Sequence, residues 1–190
     1  MTNLAFLVAA GAAYVLARRA EALSLNVLLL IILTALIGIG SGLFHTFATV
    51  WAMLTDVIPI FLFQLVFLGT YARNIMRLSW LHTALLFAGF VGLTLFFGTL
   101  PRAWLNGSLG YASSLIFLTG LGLYHARFHT QARWSLLLAA GTLGLSLTFR
   151  TLDMALCHAL PLGTHFMWHI LNGIVLYLAM RVVIFSRAKI

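Results

Sequence analysis

Charge is scarce in this 190-residue chain. Charged side chains make up 7% of the sequence, only three residues are acidic, and the mean hydropathy is +1.08. Hydrophobic residues account for 63% of all positions. Because a soluble domain is charged at about a quarter of its positions, this composition excludes a soluble domain and predicts a membrane protein.

Cysteine and lysine each occur once. Cys157 has no second cysteine to pair with, so the chain can form neither an internal disulfide nor a thiolate metal site. Lys189 lies in the terminal tail, so no lysine inside an apolar segment could carry retinal as a Schiff base. A transporter has little support either, because internal symmetry and a row of intramembrane carboxylates are both missing.

Long apolar runs fill most of the sequence. A helix that crosses a hydrocarbon core of about 30 Å needs about 20 apolar residues. The runs lie at 3–17, 25–50, 57–72, 79–99, 107–125, 134–150 and 162–184. They are continuous, whereas spanning β-strands alternate in segments of about 10 residues. We therefore predict an all-α membrane protein, a single seven-transmembrane helix bundle over residues 1–190.

The basic residues are distributed unequally between the two sets of loops. One set, after the first, third, fifth and seventh runs, holds Arg18, Arg19, Arg73, Arg77, Arg127, Arg133, Arg181, Arg187 and Lys189. The other set holds Arg102 and Arg150. The positive-inside rule then predicts an N-terminus outside and a C-terminus in the cytoplasm. Membrane topology thus accounts for the net charge of +8, and we predict no nucleic-acid binding.

The first run is expected to remain as a helix, because it lacks the positively charged start of a signal peptide. The short termini favour an integral multi-pass protein of a bacterial inner membrane.

Two histidines at the start of the last run have metal-ligand spacing. His165 and His169 are four residues apart, so a helix places both imidazoles on one face, one turn apart. Two histidines near a helix end are also common without a metal. A third histidine at a matching depth strengthens the metal interpretation.

That third histidine is His45, near the end of the second run, with Ser41 one turn before it. Under the predicted topology the second helix runs outward and the seventh inward, so His45, His165 and His169 share a depth near the outer surface. Three neutral imidazoles with an open fourth position form the ligand set of a catalytic zinc. Ser41 alone would be an ordinary helix-packing serine.

Asp56 is one of the three acidic residues and precedes the third run. Aspartate is a favoured N-cap, and Pro59 suits a first helical turn, so a capping role is an equal alternative to catalysis. Beside a metal, Asp56 could move a proton between water and a leaving group. It could also orient a histidine ligand.

Further residues lie where they could support the site or contact substrate: Arg150, Asp153, His158, Trp168 and Tyr177. Arg150 and Asp153 are three apart, which predicts a local ion pair. His158 could be a spare ligand, and Tyr177 lies two turns beyond His169 on the same face. The histidines predicted on the cytoplasmic side are His82, His125 and His129.

These residues together resemble the signature of the alkaline ceramidase family, within the wider group of seven-helix hydrolases that includes the adiponectin receptors. The resemblance covers the whole helix count, and Asp56 follows the first motif by eleven residues. The matching segments are Ser41-Gly-Leu-Phe-His45, Phe149-Arg150-Thr-Leu-Asp153-Met-Ala-Leu-Cys157 and His165-Phe-Met-Trp168-His169.

The resemblance implies that His45, His165 and His169 bind Zn²⁺ and that Asp56 and Ser41 assist catalysis. It implies hydrolysis of the ceramide amide to a sphingoid base and a fatty acid. The chain departs from the family in one respect: no acidic calcium-binding segment precedes the first run. A calcium requirement is therefore not expected.

The sequence thus predicts a membrane-embedded, zinc-dependent amidase of ceramide or a related lipid. Two alternatives stay open at this point. One is a seven-helix receptor or scaffold with a structural zinc, and the other is a zinc hydrolase acting on a different lipid.

Overall fold

The computed structural model of the chain describes residues 2–101, 103–156, 158 and 163–188. Within them the chain forms helices and no β-strand. The helices are α1 (Leu4–Arg19), α2 (Leu25–Phe47), α3 (Val50–Thr70), α4 (Trp80–Gly98), α5 (Ala112–Phe128), α6 (Ser135–Leu156) and α7 (His165–Phe185). A π-helical turn, Tyr71–Ile75, extends α3, and a 3-10 segment, Trp104–Tyr111, precedes α5. Cys157, Arg102 and Lys189 lie outside the described residues.

The seven helices form a closed ring in chain order. Each helix contacts the next one, and α7 closes the ring by packing against α1. Helix α7 also contacts α2 and α3, and 56% of its most apolar stretch is buried. Residues on α7 are therefore positioned to face the interior of the bundle.

Five helices are long and apolar enough to cross a membrane: α2, α3 with its π-helical turn, α4, α6 and α7. The other two, α1 and α5, have 16 and 17 residues. Over the described residues the prediction of an all-α bundle is confirmed, and the five long apolar helices are consistent with a multi-pass membrane protein. Seven crossings and the orientation of the termini stay predictions.

The predicted start of the third helix is wrong. The run was expected over 57–72, but α3 begins at Val50. Asp56 therefore lies inside the helix and is not its N-cap. Pro59, interpreted as a first-turn proline, is also inside α3. A proline there removes the hydrogen bond to the carbonyl of Thr55 and crowds that carbonyl, and a membrane helix tolerates both effects when its neighbours satisfy the freed backbone group.

The boundaries of other runs also differ. Residues 107–111 of the fifth run belong to the 3-10 segment, because Leu105, Asn106 and Gly107 have positive φ angles of 50°, 52° and 74°. A regular helix cannot continue through such angles, so α5 begins at Ala112. The sixth run, expected to end at residue 150, continues as α6 to Leu156.

Helices α2 and α3 approach each other closely at Gly40. A Cβ atom there would overlap the backbone carbonyl of Thr55, so only glycine fits. Small residues at such crossings are common in membrane bundles. The residues that follow these two, Ser41 and Asp56, both line one cavity described below.

Helix α1 packs between α2 and α7 through small side chains. Ala10, Ala13 and Ala17 are buried on it, and Gly173 of α7 meets the backbone of Ala5. This close packing brings the residues just before α1 to the end of the bundle where α2 ends and α7 begins.

Candidate metal centre

The three histidines predicted as ligands come together in the structure. His45 is in the last turn of α2, whereas His165 and His169 are in the first two turns of α7. The ring centroids are 5.4 Å apart for His45–His165, 4.8 Å for His45–His169 and 5.0 Å for His165–His169. One nitrogen of each ring lies within 4.8 Å of the other two. These three residues are therefore close enough to hold a metal ion.

The closest nitrogen pair has nearly the separation that a tetrahedral ion requires. The Nε2 atoms of His45 and His169 are 3.1 Å apart. Zinc–nitrogen bonds of 2.0–2.1 Å place two tetrahedral ligands about 3.3–3.4 Å apart. An inward movement of His165 would then place a third nitrogen at tetrahedral distance from the ion.

A hydrogen bond to Thr2 orients the imidazole of His169. The Nδ1 atom of His169 lies 2.9 Å from the hydroxyl oxygen of Thr2. When Nδ1–H donates to this oxygen, the lone pair of Nε2 points at His45 and is available to a metal. Second partners of this kind fix the tautomer of metal-binding histidines. The sequence analysis missed Thr2, because a hydroxyl ahead of a helix carries no motif.

The three rings differ in exposure. His169 is only 5% exposed, His165 is half-buried and His45 is exposed. The cluster therefore lies at a boundary: its inner ligand faces the bundle interior and its outer ligand faces the surroundings. An ion held there would have room for a non-protein ligand on the open side.

Below the histidines lies a cavity of about 120 Å³, here called the metal cavity. His169, Ser41 and Asp56 line it at the upper end, and Trp168 and Tyr111 contribute aromatic wall. Its remaining wall is mostly apolar, including Phe63, Phe67, Phe90, Leu121, Leu143 and Val175. The cavity thus joins a cluster of polar groups to a deep apolar interior.

The two residues predicted to be catalytic share this wall with His169. Ser41 is buried, and its hydroxyl donates a long hydrogen bond of 3.4 Å to Oδ1 of Asn3. Asp56 is half-buried on the facing turn of α3. The close approach of α2 and α3 at Gly40 lies next to both residues in the sequence, and both line the same cavity.

Asp153 is hydrogen-bonded to the start of α7. Its Oδ1 accepts hydrogen bonds from the backbone N–H of Thr164 at 2.6 Å and of His165 at 2.9 Å. Gly163 allows this approach, because its φ is +61° and a Cβ would lie 2.5 Å from the same oxygen. The carboxylate therefore caps the helix that carries two of the histidines.

Arg150, the partner predicted for Asp153, contacts two aromatic rings. Its guanidinium is 5.4 Å from the ring centroid of Tyr111 and 5.2 Å from that of Trp168. The expected ion pair was based only on their three-residue spacing. In the structure, the uncapped N–H groups of α7 attract the carboxylate, and two aromatic faces attract the cation.

Replacing Asp153 with alanine is expected to weaken metal binding without removing a ligand. The loss of a side-chain cap costs a helix about 1 kcal/mol, and residues that orient ligands change metal affinity by about 10–100-fold. We expect Asp153→Ala to retain metal at saturation with an affinity about tenfold lower, measured by competition with a chelator. The exposed acid Glu21, changed to glutamine, is the matched control. An affinity equal to that of the parent would contradict the positioning role of Asp153.

The other residues predicted around the site differ in position. Trp168 is buried on the wall of the metal cavity and packs edge-on against Tyr111, with centroids 4.9 Å apart. Tyr177 is partly buried against the apolar core. His158 is exposed in the turn after α6 and is not in the histidine cluster.

Polar residues of the metal cavity that the sequence analysis did not identify are Gln64, Tyr111, Ser114 and Asn172. Gln64 donates to the hydroxyl of Ser114 at 2.9 Å, and Asn172 donates to the carbonyl of Trp168 at 2.8 Å. Both amides interrupt apolar runs, and intramembrane polar residues are themselves indicators of function. That signal was present in the sequence for Gln64 and Asn172.

Comparison of the chain with protein-family models, with curated proteins and with solved structures finds no match. The resemblance to the alkaline ceramidases thus depends on the spacing of the motif residues alone.

Proposed function

We propose that the protein is an intramembrane zinc-dependent amidase, which hydrolyses ceramide or a related N-acyl lipid to a free fatty acid and a sphingoid base or amine. The observation that carries this proposal is a cluster of three imidazoles, one of which, His169, lines a mostly apolar cavity together with the carboxylate of Asp56.

The donor set supports zinc as the metal. Imidazole is a borderline ligand that suits zinc, and three histidines with one open position are typical of catalytic zinc sites. Bound zinc lowers the pKa of its water to about 7 and polarises a carbonyl oxygen.

The protein's own side chains would supply proton transfer and orientation. Asp56 would accept a proton as water adds to the amide carbon, and would return it to the nitrogen as the C–N bond breaks. The Ser41 hydroxyl would turn from Asn3 toward the reacting carbonyl oxygen and stabilise its developing charge. The hydrogen bond from Ser41 to Asn3 is long, so breaking it would cost little free energy.

The shape of the metal cavity supports a lipid substrate. Its deep wall is built from aromatic and aliphatic side chains of α3, α4, α5, α6 and α7. An acyl chain placed there would bury apolar surface, at about 25 cal/mol for each Å² removed from water. The carboxyl-derived carbon of that chain would lie at the histidine level.

We further propose seven membrane crossings, with the N-terminus outside and the metal centre nearer the outer surface of a bacterial inner membrane. The clustering of nine basic residues in one set of loops supports this orientation. The ring closure of α1 and α5 with the five longer helices supports a spanning role for both.

A structural zinc in a receptor or scaffold is the rival function. Structural zinc sites are closed by four protein ligands, whereas the cluster among the described residues supplies three. The exposure of His45 also leaves the ion open on one side. Both features favour the catalytic alternative.

The test is a lipid screen on the purified, zinc-loaded protein in detergent. We expect stoichiometric release of fatty acid and amine from at least one N-acyl lipid, detected by mass spectrometry. Removal of zinc with a chelator should stop release, and added zinc should restore it. Protein that binds about one zinc per chain and cleaves none of the N-acyl lipids would favour the structural alternative.

A further inference from the structure

A second chamber adjoins the metal cavity at the same end of the bundle. It has a volume of about 340 Å³ and lies between α3, α4, the 3-10 segment and the start of α5. Arg150 of α6 lines it, so it is here called the arginine chamber. Its polar wall residues also include Thr94 and Ser113, whose hydroxyls are 2.9 Å apart.

The two spaces share one wall. Ile60, Gln64, Tyr111 and Ser114 line both the metal cavity and the arginine chamber. A molecule in the metal cavity could therefore extend past these four side chains into the arginine chamber. The metal cavity is mostly apolar, whereas the arginine chamber carries hydroxyls and a cation.

Arg150 has no hydrogen-bonded anion among the described residues. Its Nε is buried without a hydrogen-bond partner. The rings of Tyr111 and Trp168 flank its guanidinium, which offsets part of the cost of desolvating the charge. Cation–π contacts leave the N–H groups at the edge of the guanidinium available to a ligand.

A guanidinium held in this way is suited to an oxyanion. Arginine presents a planar fork of donors that matches the oxygens of a phosphate or a carboxylate, and such charge-assisted bonds are stronger than neutral ones. The Ser114 hydroxyl accepts from Gln64 and keeps its own proton, which it could donate to a further oxygen. The apolar wall of the metal cavity has no comparable group.

We propose that the arginine chamber holds the head group of the lipid substrate and that Arg150 selects a head group with a phosphate. This inference rests on the proposed amidase function. The acyl chain would occupy the metal cavity, the amide would lie at the histidines, and the amine part with its anionic head group would pass Tyr111 into the arginine chamber. The preferred substrate is then an anionic N-acyl lipid rather than neutral ceramide.

The test measures binding and so does not depend on turnover. Native mass spectrometry compares two lipids with the same acyl chain, ceramide and ceramide 1-phosphate, on the zinc-loaded Asp56→Asn protein in detergent. We expect the phosphate lipid to bind at least about tenfold more tightly, the range of charge-assisted hydrogen bonds. Adding Arg150→Gln should bring the ratio of the two affinities close to one.

Two further variants separate recognition from folding. Arg150→Lys keeps the charge without the planar fork, and we expect it to retain part of the preference. Arg127, an exposed arginine beside Phe128, is the matched control, and Arg127→Gln should leave the ratio unchanged. A purely structural role of Arg150 would weaken both lipids equally and leave the ratio unchanged, which would overturn the proposal.

Inorganic phosphate separates a lipid head group from a free ion as the ligand. A preference for the phosphate lipid that persists in a large molar excess of inorganic phosphate supports the head-group assignment. Complete loss of the preference would assign the chamber to the free ion and overturn it. Equal binding of the two lipids by the Asp56→Asn protein would also overturn it, whether or not the parent hydrolyses any lipid.

Discussion

Replacing His169 with alanine is expected to abolish metal binding and hydrolysis together. His169 is the most buried of the three ligands, and its Nε2 lies 3.1 Å from that of His45. Two remaining imidazoles, one of them exposed, would hold an ion poorly. Because even residues that only orient ligands change metal affinity by about 10–100-fold, we expect loss of a ligand to exceed about 100-fold. Metal content by mass spectrometry and fatty-acid release measure the two effects.

The matched control is His82→Ala. His82 is exposed near the start of α4 and contacts Ser79, away from the cluster. We expect this variant to keep both metal and hydrolysis. A metal-free His169→Ala protein with the parent's activity would refute the metal role in the reaction.

The Asp56→Asn variant is expected to retain the metal and lose most of its catalytic rate. Asparagine preserves the size of the side chain in the half-buried position on α3 but cannot accept a proton. General acid–base groups typically contribute 10²–10⁴-fold to rate, so we expect kcat to fall by about that factor at unchanged zinc content. The measurements are single-turnover release of fatty acid and metal content.

Glu21→Gln is the control for Asp56→Asn, since Glu21 is an exposed acid outside the helices. Another outcome would assign a different role to Asp56. If the asparagine variant lost zinc in parallel with activity, the carboxylate would orient a ligand histidine instead of carrying a proton.

The histidine cluster was predictable because its members follow helical periodicity. His165 and His169 are one turn apart, and their grouping needs only the geometry of one helix. Adding His45 required the direction of two helices through the membrane, which the apolar runs and the basic loops supplied. The structure brings all three rings together.

The role of Asp153 could not be predicted in the same way. Its three-residue distance from Arg150 suggested a local pair, whereas its partners include backbone groups eleven and twelve residues later. A turn whose conformation depends on the positive φ of Gly163 creates this contact. Sequence spacing describes neighbours on one helix and does not describe a contact across a turn.

The position of Asp56 shows a related limit. Proline near an aspartate indicated a helix start, whereas α3 begins six residues before Asp56 and continues through Pro59. Local preferences for caps compete with apolar packing, and in a lipid environment the backbone must remain helical to satisfy its hydrogen bonds. That constraint prevailed over the local signal.

By itself, the sequence determined that the chain is helical, that it has segments long and apolar enough to cross a membrane, and that three histidines come together at one end of them. Composition, apolar length and periodicity are additive along the chain, so they can be evaluated without coordinates. Only the tertiary structure decided that Thr2 contacts His169, that Ser41 and Asp56 line one cavity with His169, and that Arg150 lines a chamber next to that cavity. These depend on how close distant segments approach, which follows from side-chain packing across the whole ring of helices.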